Sequence, residues 1–213
     1  MNIINNSNLK SLHKNHKKVG NILFFAGVFF LPSALPIGGF FLLISIFIAF
    51  NTNKIDFFKN KWDLSFFISG ILIILSAFYN SILNPDNALL NFNNSTIWLN
   101  LFNWIPIYFA YLGFQVYLKN EKQRLLFQKV LIAGTVPVIL SCIMQYIFKI
   151  YGPFETLFGT IVWFNYNFSE KQYLRASGLF NNPNYLGMWL TLCLPFALSA
   201  LKLEKNNLLN KLT

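Results

Sequence analysis

Charge is scarce in this chain. Lys, Arg, Asp and Glu make up 11% of its 213 residues, under half of the roughly 25% typical of soluble domains. Acid is scarcer still, with seven Asp and Glu against seventeen Lys and Arg. So little charge excludes an ordinary soluble domain, whose surface needs charged side chains to stay solvated. Cysteine is nearly absent: Cys142 and Cys193 each lie inside an apolar run. They read as small buried hydrophobes, and no disulfide framework or metal-ligand spacing is available. The two histidines, His13 and His16, stand in the run H-K-N-H among lysines, with no acidic residue beside them. They could be taken as a metal pair, but a solvated basic tail accounts for them better. No metal and no cofactor is expected. Arginine occurs only twice, at Arg124 and Arg175.

What the chain has instead is apolar length. Hydrophobic residues make up 55% and aromatics 18%, and several runs approach or exceed the ~18 residues that signal a membrane span. The expected fold is all-α, a polytopic transmembrane helix bundle of about six membrane segments. These run over about 19–31, 37–50, 64–79, 97–118, 130–148 and 184–203, after a basic tail at 1–18 expected to be poorly ordered. Residues 204–213 form a second tail or a truncation point. A cleaved signal peptide at the start is disfavoured, because a second apolar run follows the first directly.

The first apolar stretch, Val19 to Phe50, is broken at Leu31-Pro-Ser-Ala-Leu-Pro36. It is either one long span or a hairpin, and arms of 13 or 14 residues, roughly 20 Å of helix, look short for a ~30 Å hydrocarbon core. Loop charge decides. With a hairpin, segments 1–18, 51–63, 119–129 and 202–213 face the cytoplasm and carry four, three, four and three Lys/Arg, fourteen altogether. The outer segments then hold only Lys149, Lys171 and Arg175. A single first span would leave seven inside and ten outside, so the positive-inside rule selects the hairpin, with both termini cytoplasmic. The net charge of +10 then serves orientation and contact with anionic lipid rather than nucleic acid.

Apart from Lys202 at the cytoplasmic end of the last one, the spans as drawn hold no Asp, Glu, Lys, Arg or His, which weighs against a proton relay or charge-coupled transporter. On the 97–118 span, Asn100, Trp104, Tyr108, Tyr111 and Gln115 recur at helical spacing on one face. They read as interhelical hydrogen bonding, or as the polar wall of a lipid-carrier groove. Gln145 and Thr135 read as interhelical contacts too. Pro106, Pro137 and Pro195 are expected to kink helices. The sequon Asn94-Ser95-Thr96 in the Asn-rich loop 81–96 has meaning only in a eukaryotic secretory pathway. The connection 149–183 is 35 residues long and rich in aromatics, too long for a simple link. A short interfacial helix is expected near Thr156–Phe164.

Arg175 heads the most informative stretch, RASGLFNNPN followed by YLGMWLTLCLPFALSALKL. Its guanidinium is a flat, permanently charged fork that can pair bidentately with phosphate or carboxylate. Gly178 permits positive φ. Asn182 fits an N-cap, and Pro183 the first helical position, where its missing N–H costs nothing. Together they form an anion-capable turn on the start of a buried helix.

This stretch, R-x-x-G-x-F-x-N-P-N with its following helix, resembles the loop-to-helix motif of the bacterial O-antigen ligase and polymerase family. Tyr151 to Phe164 is similar to the segment preceding that motif in cyanobacterial-type members, and the likeness covers about residues 149–203. The resemblance implies an inner-membrane protein that binds an undecaprenyl-diphosphate-linked glycan at the periplasmic face and transfers it to an acceptor sugar. It implies substrate-binding roles for Arg175, Gly178, Asn182 and Asn184. It does not identify a catalytic residue: a base must take the acceptor's proton, and the outer segments offer only Asp86, Glu155 and Glu170. Family members are roughly twice this length, so the chain is expected to be an N-terminal half, inactive without a separate or missing C-terminal half. Whether it is itself an enzyme stays open. A transport or channel component and a non-enzymatic membrane scaffold are the alternatives.

Overall fold

The computed structural model describes residues 2–52, 61–82, 94–150, 152, 154–156, 158–159, 161–163 and 176–212. Six helices account for nearly all of them: α1 (Asn2–Phe30), α2 (Leu35–Thr52), α3 (Lys61–Ile82), α4 (Asn94–Phe114, followed by a 3-10 turn at Gln115–Tyr117), α5 (Glu121–Phe148) and α6 (Pro183–Leu212). Two short strands, β1 (Phe154–Thr156) and β2 (Ile161–Trp163), lie between α5 and α6. Among the described residues, five helical stretches are long and apolar enough to cross a membrane: Leu35–Thr52, Lys61–Ile82, Ile97–Tyr117, Glu121–Phe148 and Pro183–Lys202. The chain has the make-up of an integral membrane protein built of α-helices.

Each of the six expected segments falls within a helix, but the first (19–31, in α1) is not among the five long and apolar enough to cross a membrane, and the helix ends extend further than hydropathy suggests. The helix of the first segment begins at Asn2, so the basic tail continues the helix instead of preceding it as disordered chain. Helix α5 begins at Glu121 rather than near residue 130. Asn120 starts it as N-cap, its side chain accepting from the Gln123 N–H at 2.8 Å, and the Arg124 guanidinium donates back to the carbonyls of Leu118 and Lys119. Helix α6 runs past 203 to Leu212. Hydropathy marks where a helix can meet lipid; capping and backbone bonding mark where it ends.

The chain divides into two compact units. One comprises Met1–Lys17 and Ile46–Tyr117, and so holds the end of α2 with α3 and α4. Here Phe50 packs edge-on against Phe109 at 5.9 Å and Phe78 against Trp98 at 5.1 Å.

The second unit comprises Lys18–Ser45 and Leu118–Thr213. Its first feature is the break at Leu31–Ala34, which closes a hairpin between α1 and α2 as expected. A Cβ on Gly38 would stand 2.7 Å from the Leu31 nitrogen and 3.0 Å from the Gly27 carbonyl oxygen, so the two arms touch backbone to backbone. Such small-residue crossings are how membrane helices approach closely. Helix α5 then packs antiparallel to α6, with Phe127 edge-on to Phe196 at 5.7 Å.

The interfacial helix expected near Thr156–Phe164 is not what forms. The described part of that segment is an antiparallel β-hairpin with Phe154 opposite Trp163, Glu155 opposite Val162 and Thr156 opposite Ile161. Phe158 (φ 56°) and Gly159 (φ 79°) occupy the left-handed region at its tip. Two successive positive φ values give the tight turn whose twist matches the strands it joins, and Ile161-Val162-Trp163 is a run of strand-forming residues.

Candidate functional site: the turn before the last helix

The turn Ala176–Asn182 is built as the residues suggest and is held by one they did not single out. Gly178 has φ 61°, the left-handed conformation in which glycine carries no Cβ penalty. Its backbone also lies hard against α5: a Cβ there would come within 2.7 Å of the Cys142 Sγ and 3.1 Å of the Val138 carbonyl oxygen. Gln145 of α5 fixes the turn. Its Oε1 accepts from the backbone N–H of Ser177 at 3.0 Å and of Gly178 at 2.8 Å, while its Nε2 donates to the Ser177 Oγ at 3.4 Å. Gln145 and Ser177 are both buried. One side chain therefore satisfies two buried donors that would otherwise be costly in a lipid-surrounded bundle.

The start of α6 follows the expected cap. The Asn182 Oδ1 accepts from the Asn184 N–H at 2.8 Å, and the Asn182 carbonyl accepts from Tyr185 and Leu186. A second polar tie lies further along the α5–α6 seam. Thr135 donates to the Leu131 carbonyl at 2.8 Å and receives the Trp189 indole N–H at 3.1 Å, with the Cys193 sulfur 3.6 Å from the same hydroxyl. The face of Trp189 is tilted against Phe180 of the turn at 6.1 Å.

These bonds separate the expected site residues by role. The Gly178 N–H is already donated to Gln145, and the Asn182 carboxamide oxygen is engaged in capping; both shape the turn. Asn184 is exposed in the first turn of α6, where the helix N-terminus favours anions. Arg175, the expected anion-pairing residue, lies outside the described residues, as do Asp86 and Glu170. Glu155 is exposed on β1, with its carboxylate beside Gly159 of the tip. The contribution of Gln145 was signalled in the sequence only by an amide inside an apolar run.

The turn is also recessed along α5. Gly178 meets Val138 and Cys142, ten and six residues before the helix end at Phe148, or roughly 9–15 Å at 1.5 Å per residue. Ile143, Met144, Tyr146, Ile147 and Phe148 are exposed and apolar beyond that level, a surface suited to lipid.

A second polar centre lies in the other unit, and it corrects the reading that no span carries an acid. Helix α3 starts at Lys61, so Asp63, assigned by its polarity to a loop, is the third residue of the helix and buried. Its Oδ1 accepts from the Tyr111 hydroxyl at 3.1 Å and the Gln115 Nε2 at 3.0 Å. A carboxylate is favoured in the first turn by the helix dipole. The polar face expected on α4 thus faces α3: Tyr108 shares a 3.2 Å hydrogen bond with Ser69, and Tyr111 stacks on Phe66 at 4.3 Å. Trp104 lines a mainly apolar cleft of about 190 Å³ between α3 and α4, with Asp63, Phe66, Gly70, Ile74 and Tyr108; the Asn100 side chain lies outside the described set. Among the described residues, no cluster of His, Cys, Asp or Glu could hold a metal.

No protein-family model, curated protein or solved structure matches this chain.

Proposed function

We propose that this protein is the carrier-binding part of a membrane glycan transferase of the O-antigen ligase and polymerase kind. In this reading it lies in the inner membrane with both termini cytoplasmic and handles a polyprenyl-diphosphate-linked glycan at the opposite face. The observation that carries the reading is the fixed turn Ser177–Gly178, tied to Gln145 at 3.0 and 2.8 Å. A turn held this rigidly gives the adjoining Arg175 a defined point of attachment. The guanidinium then pairs bidentately with the diphosphate and stabilises the charge that develops as the glycan leaves. Asn184, at the N-terminus of α6, adds a donor to the same anion. The family-like stretch 149–203 supplies the substrate class.

The test is replacement of Arg175 in the native host at the chromosomal locus, read as glycan transfer or surface-polymer display. Arg175→Lys keeps the charge and loses the fork, so it should impair function nearly as much as Arg175→Ala. Full activity of Arg175→Ala at normal membrane levels would show that the arginine only snorkels to lipid phosphate.

A transport component is the second reading, favoured by the buried Asp63 with its Tyr111 and Gln115 donors. An acid within a membrane helix is where ion coupling is commonly built. Altered solute uptake with normal surface glycans in Asp63→Asn would favour it.

A further inference from the structure

The connection between α5 and α6 carries an amphipathic feature that the glycan reading does not use. Strand alternation sets Phe154 and Thr156 on one face of β1 and Glu155 on the other. All three residues of β1 are exposed, Phe154 by 53%. At the tip, Phe158 is fully exposed at 108% and holds φ 56°, a conformation uncommon for any residue but glycine, Asn or Asp. A two-stranded hairpin is marginal in water and needs a partner for one face. An aromatic at an unfavourable φ, extended away from the protein, makes sense where its surroundings are apolar.

The anchorage of this hairpin says what those surroundings are. It leaves α5 at Phe148, and Lys149 at the left-handed C-cap turns the chain off the helix axis. The Lys149 ammonium sits over the Tyr146 ring at 5.0 Å, the pairing of basic and aromatic side chains that marks a membrane–water boundary. The last two turns of α5 carry exposed Ile143, Met144, Ile147 and Phe148, an apolar surface that suits hydrocarbon up to the helix end. The other end of the connection is fixed deeper still, where Ser177 and Gly178 of the turn before α6 bond to Gln145. Both attachment points are thus at or below the lipid boundary, and β1 begins only six residues past Phe148, within about 20 Å of fully extended chain.

We infer that the 154–163 hairpin lies in the membrane interface with its Phe154 face on the bilayer and Phe158 inserted at the headgroup–acyl boundary. Its partner is the lipid surface itself, recognised through apolar area. Glu155, on the opposite face, stays in water.

The test places nitroxide labels on single cysteines at 154, 155 and 158, in the full chain carrying Cys142→Ala and Cys193→Ala and reconstituted in phosphatidylcholine vesicles. Because all three positions are exposed, labelling leaves the helix packing intact. Collision with oxygen, which concentrates in lipid, is compared with collision with a water-soluble nickel chelate. The oxygen-to-nickel ratio should be severalfold higher at 154 and 158 than at 155. Equal, water-like ratios at all three would place the hairpin in solvent and overturn the inference. Exclusion of both colliders at 158 would overturn it as well, by showing the tip buried against protein.

Discussion

Gln145 and Gly178, thirty-three residues apart, are joined by a 2.8 Å hydrogen bond from the glycine N–H to the amide oxygen. The same oxygen takes the Ser177 N–H, so the geometry of the turn depends on a single acceptor in the neighbouring helix. Gln145→Leu keeps the volume roughly and removes that acceptor. Two buried donors left unpaired cost about 1–3 kcal/mol each. The expected result is a lower thermal midpoint in detergent and faster cleavage of the Arg175–Ala176 bond by an arginine-specific protease. Unchanged values for both would mean that the turn is held by other contacts.

Gly178 faces two separate obstacles to substitution, and they can be told apart. A side chain at φ 61° is strained by about 1–3 kcal/mol, and a Cβ would also meet the Cys142 sulfur at 2.7 Å. Gly178→Ala should therefore destabilise the protein. Adding Cys142→Ala should restore part of the loss, leaving the backbone strain and the approach to the Val138 carbonyl. The coupling between the two substitutions, measured as a double-mutant cycle on thermal stability, should be clearly non-zero. Simple additivity would mean that the sulfur is not the obstacle.

Topology can be tested independently of function. Fourteen of the seventeen Lys and Arg fall in the segments assigned to the cytoplasm. Cysteines introduced at 56, 87, 120 and 168 and probed with an impermeant thiol reagent on intact cells should react only at 87 and 168. Reaction at 56 would mean that the α1–α2 hairpin does not return the chain to its starting side.

The parts of this architecture that could be read from sequence are those whose signal is local. Pro32 and Pro36 announce the break between α1 and α2, and Asn182-Pro183 announces the start of α6, because a cap and its helix are adjacent in the chain. Gly178 was legible for the same reason. Asp63 was not: its partners Tyr111 and Gln115 lie 48 and 52 residues away, and polarity alone assigns an isolated acid to a loop. Gln145 could be seen as a polar residue in an apolar run, but not that it grips a turn 32 residues on. The β-hairpin was missed because strands of three residues are too short for a period of two to show, while aromatic richness pointed to an interfacial helix.

The Asp63 centre yields the last prediction. A buried carboxylate that accepts from a tyrosine hydroxyl and a glutamine amide joins α3 to α4 near one end of both helices. Removing the acceptor with Asp63→Leu leaves Tyr111 and Gln115 to seek new partners at the edge of an apolar cleft, and should destabilise the protein by about 1–3 kcal/mol. Asp63→Asn keeps an acceptor oxygen in place and should cost less, through the loss of charge-assisted bonds and of the favourable interaction with the α3 N-terminus. Tyr111→Phe retains the stack on Phe66 and loses one donor, so it should fall below Asp63→Leu in effect. Thermal unfolding of the three variants in the same detergent gives the order. If Asp63→Leu is as stable as the wild type, packing alone joins α3 and α4, and the buried carboxylate is there for a role other than stability.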